Sequence, residues 1–313
     1  MWNLLFYVID DDRDRSSAFL RDFPHLAELR QYYPAIKAHI RFTSKFHHGS
    51  FNYSVAENRI RLSPIEDPVK STSRVMSDLT QFTHQHYDPS RKNAIFFSIP
   101  HCYKEAIRPF SRDIPLLEWS EYCRENQFHF ELACMDCCYL ATMRILTQFR
   151  PVVSYVVGCQ TSSSYLGFNS PQLAHIFATT HRTFDVARKL VDSMVERNDR
   201  SKVAALRFWV DGVVLRTKGV DALASLVNQV TWTRKTRYRV EPTYSDLYDL
   251  TSLILHHPTL EKESQRELFR ALHVGPEAVV AYFRKSDALE KKPLGKRLFG
   301  LSIVLRRTTQ RGL

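Results

Sequence analysis

Cysteine and histidine supply the reactive chemistry this chain offers. Three thiols fall within five residues, Cys134, Cys137 and Cys138, and His101 closes an apolar run 37 positions before the last of them. A thiolate attacks carbonyl carbon, and a neighbouring imidazole lowers a thiol's pKa from about 8.5 toward neutrality. Cys138 beside His101 would therefore be nucleophile and general base for acyl transfer, with the backbone N–H groups of Cys102 and Cys138 as oxyanion donors. Zinc is the competing reading, because Cys134-x-x-Cys137 has half-site spacing. No CxxC or HxxxH follows it, and His47-His48 and His256-His257 are adjacent pairs rather than residues sharing a helical face, so no metal site is expected. For any one of the three cysteines the plain reading is a small apolar core residue. A phosphate-binding glycine loop is excluded, since none of the nine glycines falls in a GxGxxG or GxxxxGKS pattern.

The elements that must position these residues can be read from the flanking sequence. Residues 93–100 form a short, nearly all-apolar run that fits a strand buried on both faces and delivers His101. Residues 130–135 form a second such run, which stops at Asp136-Cys137-Cys138, and 139–147 read as the start of a helix reaching Phe149. That helix start would add to the stabilisation of a thiolate at Cys138. If the two strands are parallel neighbours, His101 and Cys138 meet at their C-terminal ends, where open α/β sheets hold ligands. Before them the sequence predicts a strand over 2–9 with an acidic stop at Asp10 to Asp12, and a helix over 16–33 interrupted at Pro24. Strands over 36–46 and 58–62, separated by a turn at His47-His48-Gly49-Ser50, and a helix over 71–86 follow. Residues 102–127 read as a polar excursion with one short helix. Later come a strand over 152–159, a polar loop over 160–170, a helix over 183–196 and a strand over 203–210. Helices over 220–232, 244–256 and 260–272, and strands over 279–284 and 298–305, complete the chain. This alternation predicts an α/β fold with helices on both faces of a mostly parallel sheet.

Composition bounds the rest. A chain of 313 residues with 44% hydrophobic content can bury a large core. The reading is one domain over 1–313, with the reactive pair in 1–200 and with 201–313 completing the fold. All six cysteines lie between Cys102 and Cys159, including Cys123, which does not resemble a disulfide framework. No signal peptide and no apolar run of about 18 residues is evident, so a cytoplasmic protein without a membrane span is expected. Net charge is +11 with a pI of about 9.4, which raises nucleic acid as a partner. Nine Lys/Arg against two acids fall between Arg284 and Leu313, and Arg234, Lys235, Arg237 and Arg239 interleave with Trp232 and Tyr238. A solvated basic face is the plainer reading, because no nucleic-acid recognition motif accompanies the charge.

The segment Phe130-Glu-Leu-Ala-Cys-Met-Asp-Cys-Cys-Tyr-Leu-Ala-Thr-Met143 resembles the nucleophile strand of clostripain-like cysteine peptidases, in the clan of caspases, legumains and gingipains. That strand ends in Asp-Ala-Cys in the family, so the nucleophile maps on Cys138, the alanine on Cys137 and the acid on Asp136. Residues 2–12, 94–101, 153–168 and 203–230, the last with Gly219-Val-Asp-Ala-Leu, are similar to further family segments in the same order. Asp246-Leu-Tyr-Asp-Leu250 and Gly300-Leu-Ser-Ile-Val304 look like its late helix and terminal strand. The resemblance implies a caspase-like three-layer α/β/α sandwich and a cofactor-free endopeptidase with a Cys138/His101 dyad acting on peptide or protein substrates. It also implies cleavage after Arg or Lys, with Asp136 at the base of the specificity pocket, where a neutral side chain would leave its charge unpaired. Self-cleavage between the histidine and the cysteine is common in the family, and Arg108, Arg112 and Arg124 lie in that stretch. Two positions depart from the pattern: His101 is followed by Cys102-Tyr103-Lys104 instead of a glycine turn, and Leu166 stands where a second acid is frequent. The alternative is therefore a caspase-like scaffold without efficient turnover, or an interaction protein with a basic C-terminal region.

Overall fold

The apolar run Trp2–Asp10 forms the middle of a nine-stranded sheet in the computed structural model of the protein. The structure describes residues 1–10, 36–44, 49–56, 59–65, 72–98, 106–107, 114–136, 140–161, 171–200, 210–232, 239–240 and 247–305. The described elements begin with β1 (Trp2–Asp10), β2 (Lys37–Ser44), β3 (Gly49–Ala56), β4 (Arg59–Ile65), α1 (Thr72–His86) and β5 (Lys92–Ser98). A two-stranded ribbon, β6 (Ala106–Ile107) and β7 (Ile114–Pro115), precedes α2 (Leu116–Glu125), β8 (Phe130–Asp136), α3 (Met143–Phe149) and β9 (Val153–Gly158). Then come α4 (Pro171–Thr179), α5 (Thr183–Asp199), β10 (Asp211–Arg216) and α6 (Val220–Asn228). The chain continues through β11 (Leu247–Asp249), α7 (Leu250–Leu255), α8 (Lys262–His273), β12 (Val280–Lys285), α9 (Asp287–Glu290) and β13 (Ser302–Val304).

The strand order is β12-β10-β9-β8-β5-β1-β2-β3-β4. The five strands from β9 to β2 are parallel, β10 joins antiparallel to β9 and β12, and β3 and β4 extend the other edge as an antiparallel meander. Alternate residues of β1 explain why it sits centrally. Leu5, Tyr7 and Ile9 pack with α1, α2, α3 and α6 to α8 on one face, and Trp2, Leu4, Phe6 and Val8 pack with α4 and α5 on the other. A strand buried on both faces needs no polar side, so it reads as a continuous apolar run. The result is the expected three-layer α/β/α sandwich with a mostly parallel sheet. Trp119 of α2 shows how tightly one face closes: it is fully buried among Phe97, Phe130 and Phe149, with ring centroids 5.1 to 5.4 Å away.

Several boundaries differ from the sequence expectation. Gly49 and Ser50 begin β3 instead of completing a turn, because the weakly apolar alternation of 50–56 pairs with β2 from Ser44↔Gly49 onward. The strand expected over 203–210 lies, but for Val210, outside the described residues, as does the expected helix over 16–33, and β10 at 211–216 was not anticipated. Residues 247–249, read as helix, form a short strand that ends at Asp249, whose side chain caps α7 by accepting from Ser252 N. Helix α4 was not anticipated. Strand β13 covers only 302–304 of the span 298–305.

Strand β2 carries a polar face toward α1. Arg41 Nη2 meets Asp78 Oδ1 at 2.6 Å, the Tyr7 hydroxyl donates to Asp78 Oδ2 at 3.2 Å, and His39 stacks on His86 with centroids 4.1 Å apart. Burial holds His39 down to about 3 and His86 down to about 4, each ring also repelled by neighbouring positive charge. The unfolded chain, with histidine near 6.5, therefore binds more protons than the folded one below that pH, and the stability these rings contribute drains as pH falls from about 6.5 toward 3. The buried carboxyls of Asp78, Asp211 and Asp249, raised by burial, act with the opposite sign, gaining stability as pH falls. The difference between wild type and one variant isolates the histidine. His39→Phe should flatten the loss measured by urea unfolding between pH 7.5 and 5 by about 2 kcal/mol; an unchanged slope would show that His39 is already charged in the folded chain.

Candidate active site

Strands β5 and β8 are hydrogen-bonded parallel neighbours, and their last residues stand side by side, Ser98 opposite Asp136. His101 follows the end of β5 by three residues and Cys138 follows the end of β8 by two. His101, Cys102, Cys137 and Cys138 themselves lie outside the described residues. Asp136 is described: it is 7% exposed, and the Ser98 hydroxyl donates to its Oδ2 at 3.2 Å. The other described thiols separate from it. Cys134 is fully buried, and burial followed by the charge of Asp136 pushes its thiol well above the usual range; burial does the same to Cys123. Such thiols stay protonated and are poor nucleophiles. Cys159 is buried too. Among the described residues no group of three His, Cys, Asp or Glu is placed to hold a metal.

The backbone after the reactive cluster departs from the expected helix start. Helix α3 begins only at Met143, with Thr142 as N-cap at φ −118° and ψ 152°, its hydroxyl accepting from Ile145 N at 3.3 Å. Residues 140–142 are held out of the helix: Ala141 N donates to Cys159 O at 3.1 Å, Thr142 N to Leu140 O at 2.8 Å, and Ser302 N to Ala141 O at 2.9 Å. Thr142 also bridges Ser302 in parallel pairing. A segment tied on both sides cannot wind into helix, so α3 starts at Met143, later than the sequence suggested.

Behind this segment lies a buried polar network that the sequence reading missed. Asp211, fully buried, accepts from the backbone N–H groups of Gln160 at 2.8 Å and Thr161 at 2.7 Å, and from the Thr161 hydroxyl. The Gln160 amide nitrogen donates to Asp249 Oδ2 at 2.7 Å and to Ser302 Oγ at 3.0 Å, and its oxygen accepts from Gly300 N at 2.8 Å. Asp249 also accepts from Phe299 N at 2.9 Å. Burial raises both carboxyls, Asp249 to about 6, with the hydrogen bonds working against that rise. Gly300 sits at φ +98°, where a Cβ would also press to 3.0 Å of Phe283 and Val213, so only glycine fits this turn without strain. Two signals in the sequence could have exposed the network. An acid opening an apolar strand, Asp211, must find donors when buried, and Asp249 stands at a helix N-cap, where its carboxylate accepts from the first turn.

No protein-family model and no curated protein matches the sequence. Solved structures do. An inactive zymogen C11 protease from Parabacteroides distasonis aligns over 98% of this chain and 92% of its own, at 14% identity and TM-score 0.71. A secreted C11 cysteine protease of Bacteroides thetaiotaomicron, iotapain, aligns over 97% and 93%, at 11% identity and TM-score 0.70. A secreted C11 cysteine protease of the same organism, in complex with an irreversible peptide inhibitor, aligns over 98% and 93%, at 14% identity and TM-score 0.69. The chain has the C11 protease fold.

On this fold Arg284 and Lys285, two of the nine cations counted near the C-terminus, are engaged within the protein. Arg284 contacts Asp192 at 2.8 Å and Glu196 at 3.1 Å on α5. Lys285 turns inward, donating to Gly295 O at 2.6 Å with its ammonium 5.3 and 5.5 Å from the rings of Phe283 and Phe299. The Trp232 indole donates to Val227 O at 3.0 Å, which ties it to the end of α6. Arg234, Lys235, Arg237, Arg306, Arg307 and Arg311 lie outside the described residues. Among the described residues no helix is long and apolar enough to cross a membrane. Of the arginines considered for self-cleavage, Arg124 sits in the last turn of α2 with its carbonyl accepting from Gln127 N at 3.2 Å. Arg108 and Arg112 lie outside the described residues, between the two strands of the ribbon.

Proposed function

We propose that the protein is a cysteine endopeptidase in which Cys138 attacks the scissile carbonyl and His101 shuttles the proton. The carrying observation is the parallel register of Ser98 with Asp136, which brings the two strand ends that precede these residues side by side. The C11 protease fold over nearly the whole chain supports the same reading. His101 takes the thiol proton as Cys138 attacks and returns it to the leaving amine; water then hydrolyses the thioester with the same imidazole as base. The N–H groups of Cys102 and Cys138 are the proposed oxyanion donors. Asp136, nearly covered at the end of β8, would select Arg or Lys before the cut. Self-cleavage, where it occurs, would fall after Arg108 or Arg112 rather than within α2, since a protease reads its substrate as an extended strand.

A peptidyl electrophile ending in Arg tests this directly. It should modify Cys138 alone among the six cysteines, and the modification should disappear in Cys138→Ala and His101→Ala while both variants keep the wild-type fold by circular dichroism. Labelling spread over several thiols, or none, would favour the scaffold reading. Binding of an oligonucleotide weakening about 10³-fold between 50 and 200 mM salt would instead favour a nucleic-acid role.

A further inference from the structure

We propose that Gln160 is a positioning residue of the peptidase site, coupling the C-terminal segment 299–302 to the two chain segments that border the reaction centre. This rests on the peptidase reading above. One of those segments is 140–142, which begins two residues after Cys138; the other is 160–161, which follows β9. Gln160 is 1% exposed, and each polar atom of its side chain is used: Nε2 on Asp249 and Ser302, Oε1 on Gly300 N. Its own N–H is held by Asp211. Ser302 closes the circuit, since the residue whose hydroxyl accepts from Gln160 also donates its backbone N–H to Ala141 O at 2.9 Å. One amide thus joins the segment after Cys138, the segment after β9, and the segment that supports both. A fully satisfied buried network of this kind has one low-energy arrangement, which is what fixed catalytic geometry requires. The charged groups facing it are Asp211 on β10, Asp249 on β11 and Lys285 on β12, with Glu290 of α9 acting on Lys285.

Two substitutions separate positioning from plain stability. Gln160→Met keeps the length but donates nothing; kcat for an Arg-ending peptide should fall about 10²-fold, the size expected when reacting groups shift by an ångström. Leu268→Ala, on the buried face of α8, serves as a control for lost stability and should keep kcat. Gln160→Glu restores the donor only while the introduced carboxyl and Asp249 share a proton. Its kcat relative to wild type should therefore be close to one near pH 5 and decline steadily above pH 7. Amide exchange at 140–142 and 160–161 should speed up in Gln160→Met. Wild-type kcat in Gln160→Met, a loss matched by Leu268→Ala at equal melting temperature, or a pH-independent ratio for Gln160→Glu would overturn the proposal. If the wild type neither cleaves nor is labelled, the peptidase reading falls by itself, and exchange alone then decides the coupling: faster exchange in both segments upholds it and unchanged exchange removes it.

Discussion

Asp136→Asn should lower kcat/KM for peptides cut after Arg by about 10²- to 10⁴-fold while leaving hydrolysis after a neutral residue nearly unchanged. The substitution keeps the volume of the side chain, and the Asn oxygen can still accept from the Ser98 hydroxyl, which now meets Asp136 Oδ2 at 3.2 Å. What it removes is one negative charge at a position only 7% exposed. Opposite charges in such a place attract far more strongly than in water, and a guanidinium drawn in beside a neutral amide keeps its desolvation cost without the compensating attraction. The effect belongs to the Arg substrate because only that substrate carries the partner charge. Paired assays on peptides differing at that one residue measure it. Equal losses on both peptides would make Asp136 a structural acid, and the basis for Arg and Lys selection would have to lie elsewhere.

Asp211→Ala should cost about 3 kcal/mol in urea unfolding at pH 7. Two backbone N–H groups and one hydroxyl converge on this carboxylate, from Gln160, Thr161 and the Thr161 side chain, and none can turn to solvent. Each buried donor left without an acceptor costs roughly 1 to 3 kcal/mol. Removing the carboxylate also relieves its own burial, which raises its pKa, so the net loss is smaller than the sum of three lost bonds. Asp211→Asn, with one good acceptor left, should fall between wild type and Ala. A loss below about 1 kcal/mol for Ala would mean that water enters and replaces the carboxylate.

How much of this was readable beforehand depends on where the determining contacts lie along the chain. Strands β1, β5, β8 and β9 were legible because both of their faces are covered, which writes an apolar run into the sequence itself. The adjacency of β5 and β8 followed from their being consecutive parallel strands, and the assignment of Cys134 to the core followed from its place inside one of them. The start of α3 was not legible. Residues 139–142 have ordinary helical composition, and what keeps 140–142 out of the helix is bonding to Cys159 and to Ser302, the latter about 160 positions away. The same holds for 247–249, where pairing with 302–304 overrides a helical pattern. The basic C-terminal stretch misled in another way. Charge counts register Arg284 and Lys285 as surface cations, whereas the fold pairs one with Asp192 and Glu196 and turns the other inward.

The circuit through Gln160 joins residues 142 positions apart, Gln160 and Ser302, so their order of synthesis matters. While the chain is being made, β5 and β8 can pair well before residues 299–302 leave the ribosome. Until those residues arrive, the amide of Gln160 has no Gly300 or Ser302 to meet, and the carbonyl of Ala141 lacks its donor, Ser302 N. On the proposed reading, Cys138 would be carried through most of translation with the backbone of 140–142 unset. On that reading the segment after Cys138 would be set only once β13 has been made.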